Sequence, residues 1–316
     1  MRIHLATPAP PGSRLGNGVT ASRWQDLFAA LGHRVRVAGD WSGEPCDLLV
    51  AIHARRSHGA VAALRRAHAR VRVVVVLSGT DLYCDLPAGN PQARASLALA
   101  DRLVVLEPRA LEVLDEDLRG KARVIVQSAV APARRPPATR RFEVCMLSHL
   151  RPIKDPLRAA RAARLLPARS RLRVLHAGAA LDPQCQRAAE REMRENPRYR
   201  WLGPLAEKDA LDLLVSSRLL VLPSKVEGCA NAACEALAAG VPLVASRIPG
   251  NVGLLGEGYA GYHEVGDTMG LAALLDRVET DPGLYRQLED QVAARRMSVD
   301  PARERLAWSA LFAELA

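Results

Sequence analysis

Short apolar runs alternate with amphipathic stretches along most of the chain. Residues 2–6, 33–37, 47–52, 71–77, 103–106 and 123–126 read as strands. Residues 20–31 and 57–69 carry the three- and four-residue apolar spacing of helices, the first stopped by Gly32. The run VRVVVVL at 71–77 is apolar without alternation, as a strand covered on both faces must be. Residues 129–140 are proline-rich and have no apolar period, so they read as a linker. A second series follows. Residues 142–147, 172–177 (ending at Gly178), 219–222 and 243–245 read as strands. Asp155 with Pro156 is expected to open one helix, and Asn231 to cap another that Gly240 and Pro242 end. Repeated strand–helix units predict an α/β architecture of parallel, doubly wound sheets, with ligands at the C-terminal ends of the strands. After Pro301 the chain reads as an amphipathic helix.

A length of 316 residues suits two domains, and 49% hydrophobic residues supply their cores. No apolar run approaches the roughly 20 residues of a membrane span. The N-terminus enters a strand with no signal-peptide pattern, so a cytoplasmic protein without membrane association is expected. The net charge is +10, nearly all of the cations being arginine, which raises nucleic acid as a partner. The arginines are spread along the chain, however, and aromatics are only 4%. With no basic tail and no zinc-finger spacing, no nucleic-acid partner is expected. A local basic pocket for an anionic substrate fits the same composition. Cys46, Cys84, Cys145, Cys185, Cys229 and Cys234 are scattered without metal spacing and read as reduced thiols.

The densest chemistry lies at 223–246, PSKVEGCANAACEALAAGVPLVAS. A strand, a tight loop and a helix N-terminus make an anion site, because free backbone N–H groups and the helix dipole point at the ligand. Glu227 and Glu235 would oppose a phosphate but suit the hydroxyls of sugars beside it. The combination suggests a nucleotide-sugar site.

This string resembles the donor motif of GT-B glycosyltransferases, in the large family that includes sucrose and trehalose-phosphate type enzymes. The resemblance implies a GT-B fold: two Rossmann-like domains facing a central cleft. Residues 1–134 would bind the acceptor, completed by the terminal helix 301–316 with Trp308 and Phe312 as anchors. Residues 135–300 would bind the donor. It further implies that Glu227 and the backbone of Gly228, Cys229, Ala230 and Asn231 hold the transferred sugar, and that Glu235 holds the ribose. Gly178, at a strand end, and Leu205 join the donor pocket. Cys229 departs from the small residue expected after Glu-Gly, and its thiol is open to oxidation. The family's Arg and Lys on the leaving diphosphate map onto SHLRPIKD at 148–155. Lys154 matches the Lys. His149 falls where the Arg belongs and Arg151 lies two residues on, so both are candidates for the second contact. Enzymes of this kind need no metal for chemistry, and the acidic string at 115–117 is therefore not assigned one.

In the first half, Gly16, Asn17 and Gly18 read as a loop before a helix capped by Thr20, whose amides suit an oxyanion. His53 and Arg55 follow one strand, and Ser78, Thr80 and Asp81 another. Gln127 and Ser128 end a third strand at the same edge. Several strings are similar to the selenosugar synthases of selenoneine biosynthesis, among them 2–17, 43–57, 77–83, 141–156, 196–203 and 245–262. This implies UDP-N-acetylglucosamine or UDP-glucose as donor and selenophosphate as acceptor, with no further cofactor. A glycosyltransferase acting on an alcohol is the alternative. Oligomeric state is left open, a homo-oligomer included.

Overall fold

The computed structural model describes residues 1–9, 12–13, 15–135 and 140–315. The chain divides into two compact units, Met1–Gln127 with Ala302–Ala316, and Ser128–Pro301. The boundary falls at the end of the first sheet's last loop rather than at 134/135. Pro136 and Pro137 of the expected linker lie outside the described residues.

The first unit runs β1 (Arg2–Ala6), α1 (Gly16–Ala30), β2 (Arg34–Ala38), β3 (Leu48–Ile52), α2 (His58–Ala67), β4 (Arg72–Leu77), α3 (Pro91–Leu99), β5 (Arg102–Val105), α4 (Glu116–Gly120) and β6 (Ala122–Val124). Its parallel sheet has the order β2-β1-β3-β4-β5-β6. All five residues of β3 are buried, and so are Val73–Leu77 of β4, which explains the unbroken apolar run there. The terminal helix Pro301–Leu315 supplies Trp308 and Phe312 to this unit's core. Trp308 packs edge-on against Trp24 at 4.9 Å and Phe28 at 4.8 Å, and Phe312 against Phe28 at 5.0 Å. Glu304, buried in the same helix, accepts the Trp24 indole N–H at 2.7 Å and pairs with Arg23. Each such aromatic pair contributes roughly 0.5–1.5 kcal/mol beyond its buried area.

The second unit runs β7 (Phe142–Leu147), α5 (Arg158–Arg164), β8 (Leu172–Ala177), α6 (Pro183–Glu195), β9 (Tyr199–Gly203), α7 (Glu207–Ser216), β10 (Leu219–Leu222), α8 (Asn231–Ala239), β11 (Leu243–Ser246), α9 (Pro249–Leu255), β12 (Tyr262–His263), α10 (Thr268–Thr280) and α11 (Pro282–Arg295). The terminal helix is α12. This parallel sheet has the order β12-β11-β10-β7-β8-β9. Both units are Rossmann-like. Among the described residues no helix is long and apolar enough to cross a membrane.

Three local expectations are corrected. Asp155 does not cap α5. It takes a left-handed conformation (φ 44°) after the short turn Pro152–Lys154, and α5 starts at Arg158. Its carboxylate instead holds Arg158 at 2.7 Å. Asn231 is the first residue of α8 rather than its cap, the cap being Ala230. Thr20 lies inside α1, which begins a turn earlier at Gly16; its hydroxyl donates to Gln127 at 2.6 Å instead of capping.

Candidate functional site

In the second sheet, β8 and β9 lie to one side of β7, and β10, β11 and β12 to the other. Where strand order reverses, the loops after the two central strands diverge and leave a crevice at the strands' C-terminal ends. The loops in question follow β7 and β10. Lys154 ends the first loop's short turn, and Glu227 sits in the second. Their Nζ–Oε1 distance is 2.5 Å, with both side chains largely buried. The Lys225 amide donates to the Ile153 carbonyl at 2.9 Å, joining the same two loops. The two motifs, 73 residues apart in sequence, thus meet at the switch point.

Backbone contacts fix the surrounding loops. Gly178, after β8, touches the loop after β7 so closely that a Cβ would lie 1.9 Å from the Ser148 carbonyl oxygen. The Ala179 amide donates to His149 Nδ1 at 3.1 Å, which leaves the proton of a neutral His149 on Nε2 as a donor. Arg151 heads the turn and accepts the Lys154 amide on its carbonyl at 3.0 Å. Gly178 N–H donates to the Gly203 carbonyl at 2.8 Å, tying in the end of β9, two residues before Leu205. Under these loops His176 is fully buried between the Ser148 carbonyl and the Tyr199 hydroxyl, each 2.9 Å away. Burial pushes its pKa down to about 4, so it is neutral near pH 7.

The Glu227–Gly228 segment rests on α9. A Cβ at Gly250 would lie 2.1 Å from the Glu227 carbonyl oxygen and 2.9 Å from that of Gly228. Ser246 donates to the Ser224 carbonyl at 2.5 Å, and Asn251 donates to the Ser246 carbonyl at 2.9 Å. Ala230 has no side chain with which to cap α8, so the amides following Gly228 remain those of an uncapped helix start. Glu235 stands in the second turn of α8, which ends at Gly240 in a left-handed cap.

In the first sheet the order reverses between β1 and β3. Gly16, Asn17 and Gly18 form the first turn of α1 rather than a loop, with Gly18 N–H already bonded to the Leu15 carbonyl at 2.8 Å. His53, immediately after β3, is buried with a positive φ of 76°. A left-handed non-glycine residue costs on the order of 1–3 kcal/mol and persists where its surroundings fix it. The Arg56 amide donates to His53 Nδ1 at 3.4 Å, leaving the Nε2 proton for Thr80 Oγ1 at 3.0 Å. Burial lowers the His53 pKa to about 4, so the ring is neutral and the Thr80 hydroxyl proton is directed elsewhere. Asp81 is fully buried. One oxygen accepts the Ser78 amide and hydroxyl, both at 2.8 Å, and the other accepts the Ala54 amide at 2.7 Å. Burial raises its pKa to about 6 despite these bonds. Asp81 therefore ties the β3 and β4 loops together. Arg55 pairs with Asp85 at 2.9 Å. The cluster contains His53, Ser78, Thr80, Asp81 and, through Asp85, Arg55; Gln127 instead bonds Thr20 and Arg23.

Residues 131–295, more than half of the chain, match the family described as glycosyl transferases group 1. The chain belongs to that family. The whole chain is similar in fold to a sucrose-phosphate synthase from Thermosynechococcus elongatus, with a TM-score of 0.79 and 16% identity over 100% of this chain and 99% of that one. HepE of Anabaena, solved with UDP and glucose, gives 0.78 and 16% over 99% and 100%. A trehalose-phosphate synthase from Burkholderia xenovorans gives 0.67 and 14% over 85% and 73%. No curated protein matches in sequence. This member of the group 1 glycosyl transferases thus has the GT-B fold.

Sequence reading misses several residues that shape these two loop clusters, one in each unit. Gly250, His176, Asn251 and Asp85 carry no motif of their own. Only the glycine leaves a signal: it stands at a helix entry after a strand, where lack of a side chain marks close backbone approach. Among the described residues no group of three or more His, Cys, Asp or Glu side chains is arranged to hold a metal ion.

Proposed function

We infer that this glycosyl transferase is a selenosugar synthase. It takes UDP-N-acetylglucosamine or UDP-glucose and joins the selenium of selenophosphate to C1 of the sugar. The C1–O bond to UDP breaks as C1–Se forms, and the electron pair leaves on the β-phosphate oxygen. The observation that carries the donor half is the Lys154–Glu227 pair at the switch point, with the α8 amides beside it. In this reading Lys154 neutralises charge gathering on the diphosphate, assisted by the Nε2–H of His149 or by Arg151. Glu227 and the amides of Gly228–Asn231 hold the sugar, and Glu235 holds the ribose. Gly178 and Leu205 line the nucleotide side. UDP as the nucleotide is supported by HepE, a neighbour of the same fold solved with UDP-glucose.

For the acceptor, the locked state of Asp81 supports a nucleophile that needs no strong base. An alcohol must lose a proton to attack, whereas selenium in selenophosphate is already nucleophilic. The Thr80 hydroxyl and Arg55, with the amides of Gly16 and Asn17 at the start of α1, supply donors for the oxyanion. His53 and Asp81 position them.

Incubation with each UDP-sugar and selenophosphate, followed by mass spectrometry, tests the reading. A sugar product containing selenium, formed together with UDP and undiminished by a chelator, is expected. Loss of activity to chelator with rescue by magnesium would refute the metal-free route. Transfer to alcohols with no consumption of selenophosphate would make this an ordinary sugar transferase.

A further inference from the structure

Cys229 lies in the loop after β10, and Cys234 lies in α8, one residue before Glu235. Their sulfurs are 3.3 Å apart. Both thiols are reduced, and they are 8% and 1% exposed. A disulfide requires about 2.05 Å between the sulfurs, so roughly 1.3 Å of approach closes it. The transfer uses the amide of Cys229 and neither thiol.

We propose that Cys229 and Cys234 are an oxidation site for peroxide, and that the disulfide they form switches off donor binding. The effect on UDP rests on the donor reading above; the bond itself does not. Cys229 is the more exposed of the two residues and lies in the loop before α8, so it meets peroxide first. Its sulfur attacks hydrogen peroxide, the O–O bond breaks, and a sulfenic acid forms as the thiol proton leaves with the displaced hydroxide as water. The Cys234 sulfur then attacks the oxidised sulfur, the S–S bond forms and the S–O bond breaks, and the second thiol proton leaves with that hydroxide as a second water. The sum is two thiols and one peroxide giving one disulfide and two waters. A dithiol reductant reverses it.

The new ring spans the first turn of α8, where the Ala233 and Cys234 amides donate to the Ala230 carbonyl at 2.9 and 3.1 Å. Drawing the sulfurs together displaces the Gly228–Asn231 amides relative to Glu235. The loop cannot relax backwards, because Gly250 already touches Glu227 and Gly228 from behind. The displacement therefore falls on the surface proposed to hold the sugar and diphosphate.

Cutting after Lys225 and Arg247 releases both cysteines in one tryptic peptide, 226–247. The purified chain is treated with hydrogen peroxide, its remaining thiols are alkylated, and this peptide is weighed without reduction. UDP affinity is measured by calorimetry on the same samples. The expected result is a peptide lighter by two hydrogens, a fall in UDP affinity of roughly tenfold or more, and recovery of both with dithiothreitol. Cys84 and Cys185, more exposed, react elsewhere in the map without changing UDP affinity. Cys234→Ser, with Cys234→Ala as a second version, should bind UDP when untreated and keep that affinity through peroxide. Two alkylated thiols, or a sulfinic acid, in the treated peptide would overturn the proposal. A disulfide with unchanged UDP affinity would overturn the switch. An untreated protein that binds no UDP overturns the donor reading and with it the switch, while the peptide mass still decides the bond.

Discussion

Gly250→Ala isolates the support behind the donor loop. Alanine is the better helix former by about 1 kcal/mol, so at an open position in α9 the change would stabilise the protein. Here the added Cβ would sit 2.1 Å from the Glu227 carbonyl oxygen, 2.8 Å from its carbon and 2.9 Å from the Gly228 oxygen. These are backbone atoms, which cannot swing aside as a side chain does. A Cβ essentially never comes closer than 3.0 Å to such an atom, so the loop must retreat by about 1 Å or more. A misplacement of about 1 Å can cost on the order of a hundredfold in rate, equivalent to about 2.7 kcal/mol of barrier. Overpacking costs another ~1–3 kcal/mol of stability, which lowers the melting temperature by several degrees in a domain of this size. Gly258→Ala is the control, since nothing lies within 4 Å of its added Cβ. Turnover and UDP calorimetry, with calorimetric melting to verify folding, are the assays. A folded Gly250→Ala protein with wild-type turnover and donor affinity would refute the idea that this contact sets the loop.

Lys154→Ala should lower the turnover number as well as donor affinity, because the charge it meets grows towards the transition state; an unchanged turnover number at saturating donor would return Lys154 to a purely structural pair with Glu227. Glu235→Ala should weaken UDP and UDP-sugar alike by roughly 1–3 kcal/mol, and calorimetry showing equal affinity in a folded variant would remove it from the site. His176 has a folded pKa of about 4 against 6.5 unfolded; between these values the unfolded chain binds a proton that the folded one does not, so stability is complete above pH 6.5 and is lost as pH falls towards 4. His176→Asn should flatten that acid slope in thermal melts, and an identical slope would show that the imidazole stays neutral for other reasons. In the first unit the lowered His53 and the raised Asp81 act with opposite sign between about pH 4 and 6. Their joint contribution to the slope should be small, and Asp81→Asn should expose the His53 part as a steeper acid loss.

What sequence could show was set by periodicity and by motif. The buried run at 71–77 and the series of strand–helix units carry a period that survives without knowledge of neighbours. Lys154 and Glu227 are both legible in motifs, yet the contact of these residues, 73 positions apart, is a product of strand order, which brings β7 beside β10. Helix starts escape a reading of sequence where polar residues offer capping chemistry that tertiary partners take instead. Thr20 turns to Gln127 and Asp155 to Arg158, while α1 and α8 begin at Gly16 and after Ala230 with no side-chain cap. The Gly250 contact and the Cys229–Cys234 approach are backbone and sulfur geometry, and no one-dimensional pattern encodes them.

The aromatic cluster formed by α12 also orders events in time. Residues 128–301 are synthesised between the two pieces of the first unit. The second unit can close its sheet as soon as α11 emerges from the ribosome. The first unit, begun earlier, must wait with Trp24 and Phe28 uncovered until Trp308 and Phe312 arrive. Its nascent form carries an open apolar seam through the synthesis of an entire domain, and chaperones have that interval in which to bind it. Loss of the last fifteen residues would leave the second unit able to fold and the first unit permanently in its nascent state.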